Sequence, residues 1–197
     1  AVQLTKRYNS SILFHTDAVQ GYGKYRIHPK RLGIDLLSAS GHKIHGPKGV
    51  GALYIDSRVK IHPIMFGGGQ QKDLRSGTEN VPGIAGLGLA SQLIYQDLEM
   101  KTALMRELKA YFLEGIRGIE NTVVHGLTDE GSAPHIISVG FSGVRSEVLL
   151  HTLEDKGICV SAGSACASNH PAVSGVLKAI GAPREYLGAT IRFSMSE

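Results

Sequence analysis

The sequence has no tryptophan and only two cysteines, Cys159 and Cys166. Two cysteines are too few for a disulfide-stapled scaffold, so a reduced, cytoplasmic setting is expected. Their Cys-x6-Cys spacing matches no metal pattern. The nine histidines form no His-x3-His or Glu-x-x-His pair either, so no metal is expected. No apolar run approaches about 18 residues, which argues against a membrane-spanning helix. No block of five basic residues occurs and the net charge is only +4. Nucleic-acid binding therefore lacks support, while an anionic small ligand suits the mild positive excess. Internal repeats and low-complexity segments are absent. The chain opens Ala1-Val2-Gln3 without a start methionine or a signal-peptide pattern, and it closes at Ser196-Glu197 straight after a strand-like run. Both ends read as cut rather than finished.

What is present points to a folded domain or two. Apolar residues make up 42% and charged residues 19%, which excludes a disordered tail, a coiled coil and a collagen-like fibre. Glycine stands at 25 of 197 residues, nearly twice its usual share of about 7%, and it is clustered. Short apolar runs at 12–14, 34–37 and 50–55 are bounded by glycine or polar residues and read as buried strands of an α/β sheet. From 83 to 118 the period changes. Leu87, Ala90, Ile94 and Leu98 share one helical face, and Leu104, Leu108, Tyr111 and Phe112 share another. This predicts one long helix, or two joined near 99–101. Strands at 122–125, 136–140, 158–161 and 190–194 follow, with helices at 146–156 (closed by Gly157) and near 172–180. A second, smaller α/β layer is thus expected, with the boundary near residue 98.

Five stretches carry candidate chemistry, and each also has a bland reading. In Ser38-Ala39-Ser40-Gly41-His42-Lys43-Ile44-His45-Gly46-Pro47-Lys48-Gly49, small residues admit a ligand close to the backbone. A lysine placed just after a buried strand can lose solvent and become nucleophilic. The spacing does not choose between Lys43 and Lys48, and on lysine and glycine alone a glycine-rich surface turn with two solvated lysines is the better reading. Asp17 follows an apolar run at the place where open α/β sheets gather ligands. It could hold a proton on a ring nitrogen, with Gln20 bonding a ring hydroxyl, or simply act as a helix cap. Gly67-Gly68-Gly69 leads to Arg75, Ser76 and Thr78. These suit a phosphate but not in a Walker arrangement, and the alternative is a linker ending in a Thr78 or Asn80 cap. Cys166 lies among small polar residues, where a thiol is accessible. Cys159, between Ile158 and Val160, reads as buried packing. Arg192 alternates with Ile191 and Phe193, and its guanidinium could clamp a carboxylate or merely face solvent.

Taken together, Asp17-Ala18-Val19-Gln20, Ser-Gly-His-Lys-x-x-Gly-Pro-Lys-Gly at 40–49, Arg-Ser-Gly-Thr at 75–78, Ser-Ala-Cys at 164–166 and Ile-Arg-x-Ser at 191–194 resemble the cysteine desulfurases of the NifS/IscS type. These are pyridoxal 5'-phosphate (PLP) enzymes of the class-V aminotransferase family, fold type I. The resemblance spans essentially the whole chain and implies an α/β fold. Residues 1–98 would be the C-terminal part of a PLP-binding large domain with a mostly parallel sheet. Residues 99–197 would be a small α/β C-terminal domain carrying the cysteine loop. It also implies an upstream half and a C-terminal tail beyond these residues. By position, Lys43 would hold PLP covalently, Asp17 would pair with the pyridine nitrogen and Gln20 with the ring hydroxyl. Ser40 and His42 would hold the phosphate, and Thr78 would reach the phosphate of a second subunit in a homodimer. Arg192 would bind the carboxylate of L-cysteine, and Cys166 would accept sulfur. The Ser-Ala-Cys-Ala-Ser loop resembles the NifS/IscS branch rather than the Arg-x-Gly-x-x-Cys branch. The implied products are L-alanine and a persulfide delivered to an acceptor protein such as an iron–sulfur scaffold. A selenocysteine lyase, an aminotransferase, or a truncated fragment without activity are the competing readings.

Overall fold

The computed structural model describes residues 1–162 and 174–196. The chain divides into two compact units, Ala1–Leu98 and Glu99–Glu197.

The first unit runs α1 (Val2–Tyr8), β1 (His15–Asp17), α2 (Pro29–Leu32), β2 (Leu36–Ser40), a 3-10 turn (Gly41–Lys43), β3 (Gly51–Ile55) and α3 (Val81–Tyr95). The strand order is β1-β2-β3. β1 pairs with β2 in parallel, with His15 opposite Leu36 and Asp17 opposite Ser38. β2 pairs with β3 antiparallel, from Leu36↔Ile55 to Ser40↔Gly51. Ala18, Ile34 and Leu37 form one core cluster, and Ile44, Ala90 and Ile94 a second; Tyr22 packs against both. The run 12–14, expected as a strand, only leads into β1. Pairing starts at His15, where the backbone meets Leu36. The run 50–55 is a strand, but not a buried one. Gly51, Ala52 and Leu53 are exposed, because β3 has a described neighbour on one side only.

α3 begins on a cap that the sequence left open: the side chain of Asn80 accepts the Gly83 N–H at 3.1 Å, and a proline occupies the first turn. Three glycines inside α3 disfavour the helix by propensity. Packing explains their presence at one position in particular. A Cβ on Gly86 would lie 2.6 Å from Pro47 Cγ, so the helix can seat the turn after Lys43 only without a side chain there. Ala90 and Ile94, each a helical turn further along this face, pack against Ile44.

The second unit comprises nearly all of α4 (Leu98–Arg117), then β4 (Thr122–His125), β5 (Ile136–Phe141), α5 (Ser146–Glu154), β6 (Ser161–Ala162), α6 (Gly175–Ala179), a 3-10 turn (Arg184–Tyr186) and β7 (Thr190–Ser194). Gln96 and Asp97 separate α3 from α4, so the helical stretch is two helices. The sheet order is β4-β5-β7-β6 and every pair is antiparallel. Ile116, Ile137 and Val139 form the core, with Phe112, Val124 and Phe193 against them. Gly157 closes the segment after α5 in the left-handed region, at φ 76°.

The buried face of α4 differs from the expected one. Leu104, Leu108 and Tyr111 are 48%, 43% and 81% exposed, whereas Met105 and Lys109 are 2% and 5% exposed and Ile116 is buried. A lysine inside the face accounts for the shift. Lys109 Nζ donates to Ser132 Oγ at 2.8 Å, to the Ala133 carbonyl at 2.8 Å and to the Ile136 carbonyl at 3.2 Å. Burial pushes its pKa below the usual lysine value.

Candidate active site

Asp17 ends β1 and Ser40 ends β2, so two parallel neighbours deliver both residues to one edge of the sheet. Open α/β sheets place ligands at this edge. Asp17 Oδ1 accepts the Val19 N–H at 2.9 Å. The turn therefore uses one carboxylate oxygen and leaves Oδ2 with no hydrogen bond among the described residues. The turn cap and a ligand contact thus fall on different oxygens of one side chain. The ladder continues one residue past the strand, as Ala18 N–H donates to the Ser38 carbonyl at 2.9 Å. Gln20 follows in the exposed turn.

Beyond Ser40 the chain winds through the turn Gly41–Lys43. Ser40 Oγ and His42 Nδ1 lie 2.7 Å apart, a hydroxyl and an imidazole joined and both able to meet an anion. Gly41 N–H donates to the Val50 carbonyl, and the Gly41 carbonyl accepts from Ile44 and Gly46 at 3.0 and 2.9 Å. Lys43 thus rides on a turn closed by three backbone hydrogen bonds and seated on α3 through Ile44 and Pro47. Lys43 itself is exposed. The loss of solvent expected of a nucleophilic lysine is not supplied by this unit.

Two residues missed in the sequence extend this edge. His15 Nε2 lies 2.8 Å from Ser38 Oγ. His15 and Asp17 share a face of β1, as Ser38 and Ser40 share a face of β2, by the period of two. That period was the available signal, but it becomes useful only once the pairing Asp17↔Ser38 is known.

Thr78 is exposed on the segment before α3 and makes no hydrogen bond to this cluster among the described residues. Nearby, Arg75 Nη1 donates to the Ser76 carbonyl at 2.8 Å and Ser76 Oγ to the Gly68 carbonyl at 2.7 Å. Cys166 lies outside the described residues. Cys159 is exposed, contrary to the packing role expected of it. It precedes β6, which ends the sheet order among the described residues.

Arg192 belongs to the second unit. It points away from Ile191 and Phe193, to the face opposite the core. Its Nη2 donates to Ser161 Oγ at 3.3 Å. Its Nε is buried and has no hydrogen-bond partner among the described residues. Also on this face, His125 Nε2 lies 3.1 Å from Thr190 Oγ1, and that hydroxyl donates to the Tyr186 carbonyl at 2.7 Å. His125 is thus the donor to Thr190, and burial pulls its pKa below the usual histidine value. Among the described residues no group of three His, Cys, Asp or Glu is placed to hold a metal. No described helix is long and apolar enough to cross a membrane.

The fold is mixed α/β, and one strand edge carries a carboxylate and a hydroxyl–imidazole pair, with an amine on the turn that follows. Residues 2–196 match the profile of the aminotransferase class-V family, and the chain belongs to that family. The cysteine desulfurase IscS of Methanosarcina thermophila is 44% identical over 186 residues, which is 94% of this chain and 46% of that protein. Among solved structures, a NifS-like protein superposes with a TM-score of 0.87 at 36% identity, covering 98% of this chain and 50% of the other. SspA in complex with cysteine superposes with a TM-score of 0.74 at 31% identity, over 98% of this chain and 52% of that one. The chain spans about half the length of the relatives it matches.

The relatives are PLP-dependent enzymes, and the strand-edge residues fit that cofactor by their chemistry. Lys43 offers an amine for an aldehyde and Asp17 a carboxylate oxygen for a ring nitrogen. Ser40 and His42 offer polar hydrogens for a phosphate.

Proposed function

We propose that this chain supplies the PLP-holding lysine and the sulfur-accepting cysteine of a cysteine desulfurase that converts L-cysteine to L-alanine. One observation carries the reading. Asp17, the Ser40–His42 pair and Lys43 are gathered at the ends of two parallel strands, in a chain of the class-V aminotransferase family. The names of the relatives and the cysteine held by SspA support the substrate.

When bound, PLP supplies an electron-withdrawing pyridinium that stabilises negative charge at the substrate's α-carbon. The chain's own residues do the rest. Asp17 holds a proton on the ring nitrogen through the oxygen that its turn leaves free, and Gln20 bonds the ring hydroxyl. Ser40 and His42 hold the phosphate. Lys43 anchors the cofactor and moves the substrate's α-proton at Nζ. Arg192 binds the carboxylate of L-cysteine. The Cys166 thiolate takes the substrate's sulfur as a persulfide, and L-alanine leaves. Thr78 serves the phosphate of a second subunit in a homodimer. The persulfide passes to an acceptor protein, such as an iron–sulfur scaffold or a thiolation partner, in a reducing, cytoplasmic setting.

The test is alanine release and persulfide formation from L-cysteine by the PLP-loaded protein. Cys166→Ala should abolish sulfur transfer, and Lys43→Ala should remove the visible absorption band of bound PLP. If Cys166→Ala keeps full turnover, the protein is an aminotransferase or another class-V enzyme. If PLP gives no band dependent on Lys43, the chain is a fragment without this chemistry.

A further inference from the structure

Strand register places Arg192 in a row of polar residues that no sequence motif announced. His125 pairs with Ser138, Ser138 with Arg192, and Arg192 with Ser161, across β4, β5, β7 and β6. Register partners stand on the same side of a sheet, so all four side chains lie on the face opposite Ile137, Val139, Ile191 and Phe193. Two serines flank the arginine, and one of them, Ser161, accepts a hydrogen from Nη2 at 3.3 Å. Arg192 Nε stays buried without a partner among the described residues. Leaving a buried donor unsatisfied is unfavourable, so the guanidinium's own hydrogen bonding does not explain its place. The strand fixes its stem and Ser161 fixes one branch of its fork.

From this geometry we propose that Ser161 is a positioning residue for carboxylate recognition: it holds the Arg192 guanidinium in the orientation that receives the α-carboxylate of the amino-acid substrate. The inference rests on the reading of Arg192 as the carboxylate ligand. In this reading Ser161 acts through Arg192. Its removal should weaken binding of the carboxylate and leave the chemical step alone.

The test uses the PLP-loaded protein expressed from its full gene. L-alanine and ethylamine differ by one carboxylate, and each is titrated against the cofactor's absorbance. Ser161→Ala should weaken L-alanine about 5- to 10-fold, the loss expected of one typical intramolecular hydrogen bond, and leave ethylamine unchanged. KM for L-cysteine should rise by the same factor at constant kcat. Ser161→Thr, which keeps the hydroxyl, should restore both values. Ser161→Cys, close in size but a weak acceptor, should reproduce the alanine variant in a strand that is sterically undisturbed. Equal weakening of both ligands, no weakening of either, or failure of Ser161→Thr to restore binding overturns the inference. Arg192→Lys separates the two claims. If it leaves the preference for L-alanine over ethylamine intact, the carboxylate role of Arg192 is wrong. If it removes that preference while Ser161→Ala is silent, only the role of Ser161 is wrong.

Discussion

Gly23→Ala should loosen the turn that carries Lys43 although the two residues are 20 apart in the chain. Gly23 sits at φ 78°, and its N–H donates to Tyr95 Oη at 3.2 Å. A Cβ there would lie 2.8 Å from Ile44 Cγ2 and 2.9 Å from Ile94 Cγ1. Two costs add. The left-handed conformation disfavours an L side chain by about 1–2 kcal/mol, and forcing a methyl into a packed core costs about 1–3 kcal/mol. The sum is about 2–5 kcal/mol, and it falls on Ile44, the residue after Lys43. Hydrogen exchange reads it locally, because the Ile44 and Gly46 amides both donate to the Gly41 carbonyl. A loss of about 2 kcal/mol speeds their exchange about thirty-fold if it opens that turn. Gly88→Ala is the control: nothing lies within 4 Å of its added Cβ, and alanine in a helix interior should stabilise by about 0.5–1 kcal/mol. If Gly23→Ala slows or leaves unchanged the exchange of Ile44 and Gly46, the packing argument for the Lys43 turn is refuted.

Lys109→Met keeps the packing of α4 but strips three acceptors of their donor, and should cost the second unit about 2–3 kcal/mol in denaturant unfolding. Gly86→Val should drive a side chain into Pro47 and weaken PLP uptake several-fold, read by absorbance, while circular dichroism still reports a folded chain. Lys6 donates to Asp35 at 2.6 Å and, with the Phe14 N–H, holds that carboxyl below the usual aspartate range. Since the folded pKa is the lower one, this stability is present above pH about 4 and is lost as pH falls through the folded value. Lys6→Met should therefore move acid unfolding of the first unit to higher pH.

Parts of this molecule were legible in its sequence. Leu87, Ala90 and Ile94 share one face of α3, where Ala90 and Ile94 are buried, and Leu98 is buried at the start of α4. The rest of α4 misled. Leu104, Leu108 and Tyr111 make the more apolar stripe, while the buried one contains Lys109, whose burial depends on carbonyls at 133 and 136 that no helical period reveals. β1 is polar, His15-Thr16-Asp17, and is a strand only because β2 pairs with it. The same holds for the sites. Asp17, Ser40, His42 and Lys43 stand out by residue type after strand-like runs. His15, Ser38, Ser138 and Ser161 are ordinary in sequence, and only register shows them beside Asp17, Ser40 and Arg192.

The central claim is that Lys43, and not Lys48 five residues on, holds the cofactor. Borohydride reduction of the PLP-loaded protein, followed by peptide mass spectrometry, tests it directly. A pyridoxyl mass on Lys43 that disappears in Lys43→Ala and persists in Lys48→Ala is the outcome the proposed function predicts. A pyridoxyl mass on Lys48, or one spread over several exposed lysines, would contradict it.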